Sequence, residues 1–157
     1  AGRWQSRPDV KGQRLALLAW HESFIEGRPD LALPDAEQSI ALFRQIGDPH
    51  NVILSTQVLA FVHLALGQVD AALDATEQAL DMLGEREGFA EVPLAFARYQ
   101  ALAAAGRPEE AQPYLERAYK VLTARIEALR DPDLRREVSD FLLHAQIIAA
   151  WKEAKGE

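Results

Sequence analysis

Cysteine is absent from the 157 residues. Disulfides, thiolate metal sites and a cysteine nucleophile are therefore excluded, and a reducing, cytoplasmic location is expected. No apolar run approaches the ~18 to 20 residues that a membrane span needs, and no signal-peptide pattern opens the chain. Strand-favouring residues are scarce: aromatics make up 8% of the chain, and Ala with Leu outnumber the β-branched and aromatic residues together, so no long sheet is expected. Positive charge is missing from a whole stretch. Between Gln45 and Glu85 there is no Lys or Arg, whereas Asp48, Asp70, Asp74, Glu77, Asp81 and Glu85 all lie there, in a chain of net charge -7. Such a surface repels phosphate backbones and anionic lipid, which argues against direct nucleic-acid or membrane partners.

Catalytic and ligand-binding signatures are lacking as well. The chain contains no Gly-x-x-x-x-Gly-Lys-Ser/Thr phosphate loop and no DNA-reading module. His21, His50, His63 and His144 include no pair spaced four apart, so a helix-borne zinc site has no support. The neighbouring acids Glu109 and Glu110, and Asp131 with Asp133, flank helix starts, where carboxylates complement the helix dipole. Glu116 with Lys120 and Asp131 with Arg135 stand in the spacing that supports a helix from outside. Ser6, Ser23, Ser39, Ser55 and Ser139 lack a strand-turn-helix elbow. The expectation is no enzyme, no cofactor, no metal and no catalytic residue.

What is present is a repeat. Gly67, Ala72, Glu77, Gln78, Ala79 and Leu80, moved back 40 places, fall on Gly27, Ala32, Glu37, Gln38, Ser39 and Ile40. Moved forward 39 places, they fall on Gly106, Ala111, Glu116, Arg117, Ala118 and Tyr119. Each glycine stands between two apolar-periodic segments, where a helix hairpin needs positive φ, and each is followed by a helix start such as Arg28-Pro29-Asp30 or Arg107-Pro108-Glu109. A small residue five places on lets the second helix cross the first closely, and the small residue seven further on lies two turns along the same face, toward the next hairpin. The chain therefore reads as all-α with seven helices. Hairpins are expected at about residues 9–26 with 30–46, 49–66 with 69–83, and 89–105 with 108–129. A single last helix is expected over about residues 133–153, with Leu134, Val138, Phe141, Ala145 and Ile148 as its apolar stripe. The corresponding repeats span about residues 9–47, 48–86 and 87–130, and a capping helix spans about 132–154.

From Leu15 to Leu122 these residues resemble the tetratricopeptide repeat family, with the glycine at the turn, Ala five later and Ala-Leu seven after that. The repeat is longer than the family's usual ~34 residues. Longer units with Ile46-Gly47-Asp48-Pro49 between hairpins are similar to the C-terminal repeat regions of large bacterial signalling ATPases and transcriptional regulators, and the run from Phe141 to Trp151 resembles the way such regions end. The start Ala1-Gly2-Arg3-Trp4 reads as part of something longer.

That resemblance implies a right-handed superhelix of three hairpins plus the cap. It further implies a protein-binding or regulatory scaffold arm in which first helices line a concave groove. The inward candidates are then Arg14, Leu17 and His21, then Gln57 and Phe61, then Phe96 and Gln100. An apolar floor with acidic flanks suits an amphipathic, basic peptide or a neighbouring domain. The competing readings are a self-associating spacer, giving a homodimer through the ends of the array, and an enzyme with an unrecognised site.

Overall fold

The computed structural model describes residues 7–85 and 91–157, apart from the side chains at 140 and 142. Eight α-helices and no strand are formed by the described residues. They fall into two compact units, Ala1–Arg86 and Glu87–Glu157. Residues 89 and 90, at the expected start of the fifth helix, lie outside the described residues.

In the first unit, α1 (Pro8–Trp20) runs on into a π-helical segment, His21–Ile25, and pairs with α2 (Pro29–Gln45). Next, α3 (Pro49–Ala65) packs on α2 and pairs with α4 (Val69–Leu83). In the second unit α5 (Glu91–Ala104) pairs with α6 (Pro108–Glu127), and α7 (Pro132–Asp140) and α8 (Leu142–Ala154) both pack on α6.

Three corners repeat in atomic detail. Gly27, Gly67 and Gly106 have φ of 66°, 74° and 74°. After two of them the next amide returns to a carbonyl five residues back: Gln68 N–H to His63 O at 2.8 Å and Arg107 N–H to Leu102 O at 2.9 Å. These bonds satisfy carbonyls that the helix end would otherwise orphan. At the first corner Arg28 N–H reaches one residue further, to Glu22 O at 2.7 Å, because the π turn holds an extra residue.

The second helices repeat too. Ala32, Ala36, Ser39 and Phe43 of α2 are buried, as are Ala72, Thr76, Ala79 and Leu83 of α4 and Ala111, Leu115, Ala118 and Leu122 of α6. Those three sets are offset by the same 40 and 39 places as the glycines. Ala32, Ala72 and Ala111 are each 0% exposed. At such a crossing nothing larger than a methyl group fits without moving the partner helix.

Polar atoms drawn into this packing find partners. Ser39 donates to Gly12 O at 2.7 Å on α1 and meets Ser55 Oγ at 2.9 Å on α3, so one hydroxyl ties its own hairpin to the next. Gly12 is needed there, since a Cβ would stand 2.9 Å from the Phe43 ring. Thr76 Oγ1 donates back to Ala72 O at 2.9 Å. Arg117 Nε reaches buried Glu91 at 3.0 Å, joining α5 to α6.

Helix starts are marked as the composition suggests. Asp48 caps α3, accepting from Asn51 N–H at 3.1 Å and from Asn51 Nδ2 at 2.6 Å; these bonds hold its carboxyl below the usual range. Asp131 caps α7 by accepting from Asp133 N–H at 2.9 Å. Before the other proline starts an arginine pairs with an acid in the first turn: Arg7 with Asp9 at 2.6 Å, Arg28 with Asp30 at 3.1 Å, and Arg107 with Glu110. Each is solvent-exposed and adds little stability.

Three expectations for the C-terminal region are corrected. The single last helix is two helices, broken at Phe141, whose φ of -56° and ψ of 132° are extended. The expected stripe fails with it: Leu134, Phe141 and Ala145 are exposed, whereas Leu143 and Ile147 are buried. On a continuous helix Leu143 would lie about 200° around from Phe141, so the break re-aims α8 and lets Leu143 and Ile147 face inward. His144 Nδ1 donates to Val138 O at 2.8 Å across the break. Arg135 also departs from its expected pairing with Asp131. It donates to the carbonyls of Leu129 and Glu127 and so caps the end of α6. The Glu116–Lys120 pair forms, at 2.5 Å.

Substituting Gly67→Ala should cost about 1 kcal/mol from the left-handed backbone alone, since its Cβ would meet nothing within 4 Å. Ala72→Leu should cost more, about 1–3 kcal/mol, by overpacking a closed crossing. Denaturant midpoints of the two variants check the order.

Candidate functional site

The inward candidates divide sharply by exposure. On α1 and its π turn, Arg14 and His21 are exposed and Leu17 keeps 70% of its surface. His21 Nδ1 lies 3.4 Å from Glu26 Oε1. On α3, Gln57 is half-buried, with an Oε1 that is enclosed and makes no hydrogen bond, and Phe61 is 6% exposed. In the second unit Phe96 is 2% exposed, stacked on Tyr99 at 5.7 Å, and Gln100 is half-buried.

Phe61 and Phe96 are thus corrected from groove floor to core. An aromatic ring with so little free surface has no face left for a partner, and its burial stabilises the helices that cover it. An aromatic contact also joins the first two hairpins: Trp20 stacks on Phe24 at 5.3 Å, and Phe24 meets Phe61 edge-on at 5.4 Å.

The π turn explains why equal spacing misaligned α1 with α3. Ala19 and Ala60, both 0% exposed, stand 41 apart, whereas Glu22 and Val62, also both buried, stand 40 apart. The extra residue is taken up between them, so Trp20, not His21, falls in register with Phe61. A π turn arises from backbone hydrogen bonding that a hydrophobic pattern does not encode.

Beyond Leu17, the first hairpin leaves Leu18 45%, Ile25 57% and Leu31 45% exposed. These side chains are carried by α1, the π turn and the first turn of α2, as are the half-buried rings of Trp20 and Phe24. Leu18, Ile25 and Leu31 are absent from the expected set. Their signal in the sequence is a run of bulky apolar residues on several sides of one helix, more than one buried face can use.

A cleft of about 370 Å³ opens elsewhere in the first unit, walled by Glu37 and Arg44 of α2 and by Asp74 and Gln78 of α4, with His63 and Leu59 of α3 at its base. His63 Nδ1 is engaged by Gln68 Oε1 at 2.7 Å. The cleft lies between second helices, not on the face that first helices share. Among the described residues no group of three or more His, Cys, Asp or Glu could hold a metal ion. No described helix is long and apolar enough to cross a membrane.

No family model, no curated protein and no solved structure matches this chain.

As a groove residue, Phe61 could be trimmed without harm to the fold. As the buried ring observed, Phe61→Ala should cost about 3–5 kcal/mol, while Leu17→Ala should stay within about 0.5 kcal/mol of wild type. Urea titration of both variants decides between core and surface roles.

Proposed function

We propose that this chain is a protein-binding scaffold arm built of tetratricopeptide-like hairpins, and that it docks a helical or extended segment of another protein on the outer face of its first hairpin. The observation that carries the reading is the set of four large apolar side chains, Leu17, Leu18, Ile25 and Leu31, left exposed on one hairpin. Soluble chains tolerate single exposed leucines readily, but several together are characteristic of surfaces that another molecule covers. Gln13, Arg14 and His21 of the same α1 and π-turn segment, with Glu26 at its end, are exposed polar groups that would set orientation while the leucines and Ile25 supply affinity.

The partner's class follows from charge. Six acids and no base lie between Gln45 and Glu85, and the chain carries a net charge of -7, so a basic amphipathic segment gains in both encounter rate and selectivity. The long-period hairpins and the Ile46-Gly47-Asp48-Pro49 connection support placing such an arm within a bacterial signalling ATPase or transcriptional regulator of the kind it resembles. There it would hold a regulatory segment.

The same exposed side chains favour one second reading, a spacer that self-associates through its first hairpin. Sedimentation velocity over a hundredfold range of concentration separates the two: a binding arm stays monomeric, and a spacer does not.

For the binding reading, a displayed library of amphipathic basic peptides should yield ligands whose affinity falls at least about tenfold in the double variant Leu17→Glu/Ile25→Glu, with its melting point preserved. Selected peptides that bind this variant as tightly as wild type would remove the face from consideration.

A further inference from the structure

Arg7, Arg28 and Arg107 pair with acids of the helix turn that follows them, and Arg117 pairs with Glu91. Arg44, near the end of α2, has no such partner. Among the described residues its side chain makes no hydrogen bond or ion pair, and neither does that of Glu37, two turns earlier, or that of Asp74 on α4. All three are exposed, and all three line the cleft of about 370 Å³ between α2 and α4. The space is open because α4 is small-sided there: Ala75 stands where α6, 39 places on, carries Tyr114. At the base, His63 donates its Nδ1–H to Gln68 Oε1 at 2.7 Å, so the other nitrogen of the neutral ring is an acceptor.

The charges are ordered along the cleft. Short connections at residues 46–48 and 66–68 each reverse the chain, so α2 and α4 run the same way on either side of α3. Asp74 corresponds, by the offset of 40, to Pro34 of α2, about one turn ahead of Glu37. Arg44 lies seven residues beyond Glu37, about 10.5 Å further along the axis. A ligand on this line therefore meets negative charge first and positive charge two turns later. Glu37, His63 and Asp74 do not converge closely enough to hold a metal ion, so the acceptor end suits a broad cation. A guanidinium is such a cation, with donors spread in a plane that can serve carboxylates from two helices. At the other end Arg44 presents the fork that matches a carboxylate. Size narrows the choice further. A helix two turns long and about 10 Å across would occupy roughly 850 Å³, more than the cleft holds, whereas one or two extended residues fit it.

We propose that this cleft docks the carboxy-terminal arginine of a partner chain, its guanidinium between Glu37 and Asp74, its aliphatic stem over Leu59 and its terminal carboxylate on Arg44. Such a residue carries both charges at nearly the separation that the cleft presents, and the flexible ends of Glu37 and Arg44 close the remainder. An internal arginine lacks the carboxylate, and free arginine brings an ammonium group beside it that Arg44 repels. The surrounding field has the same sense, since α4 adds exposed Glu77 and Asp81 and contains no Lys or Arg. The site goes beyond the apolar side chains of the first hairpin and does not depend on them.

The test titrates the full chain, followed by its amide chemical shifts, with three peptides: N-acetyl-Ala-Ala-Arg, the same peptide as its carboxy-terminal amide, and the same peptide with citrulline in place of arginine. At low ionic strength the free acid should bind at least about threefold more tightly than either analogue, with shifts grouped in α2, α3 and α4 around the cleft. Arg44→Gln should abolish the preference for acid over amide, and Glu37→Gln/Asp74→Asn the preference for arginine over citrulline. The three side chains are exposed, so both variants should melt as the wild type does. No binding at millimolar peptide, equal affinities for the three peptides, or preferences that survive in the variants would overturn the proposal. Free L-arginine binding as tightly as the peptide would overturn it too. Leu17→Glu/Ile25→Glu should bind the peptide as the wild type does, which keeps this result apart from the fate of the first-hairpin face.

Discussion

Close approach of helix backbones at alanine is the constraint on which the remaining structure rests. Ala32, Ala72 and Ala111 have no exposed surface, and each lies five residues beyond a glycine in left-handed conformation. The two features depend on each other. The glycine returns the chain steeply enough for the second helix to meet the first within a turn and a half, and only a methyl side chain permits that meeting. The buried residues four, seven and eleven places further on follow from the same geometry, since they lie on the helix stripe that the crossing turns inward.

Once that spacing is set, every exception to apolar burial needs its own chemistry. Ser39 replaces the alanine of its counterparts and uses its hydroxyl to join Gly12 on one neighbour with Ser55 on another. Thr76 returns its hydroxyl to its own helix. Glu91 has Arg117 across the hairpin. Glu22 is different in kind: burial, and then the nearby Asp35, push its carboxyl up to about 7. Exceptions of the first three kinds rigidify the helices they join.

Surface and core compete for the same residue types in such an array. Aromatic rings on first helices serve equally well as a groove floor or as the filling between stacked hairpins. The cluster of Trp20, Phe24 and Phe61 shows them used as filling. Of the large apolar side chains left exposed, the two most exposed, Leu17 and Ile25, belong to the first hairpin, where the described structure places no covering helix over them.

The repeat, the all-helical class, the corners at Gly27, Gly67 and Gly106, and most helix limits were legible in the amino-acid sequence, because they follow from local rules: backbone freedom at glycine, proline at a first turn, and small residues at matched offsets. Three matters were settled only by tertiary packing. The π turn in the first helix shifts the facing register by one residue, the break at Phe141 turns Leu143 and Ile147 toward α6, and Phe61 and Phe96 lie in the core. Each depends on what occupies the far side of a helix. A periodic pattern shows that a helix has an apolar face, but which of its large side chains are covered is determined by the neighbour that arrives there.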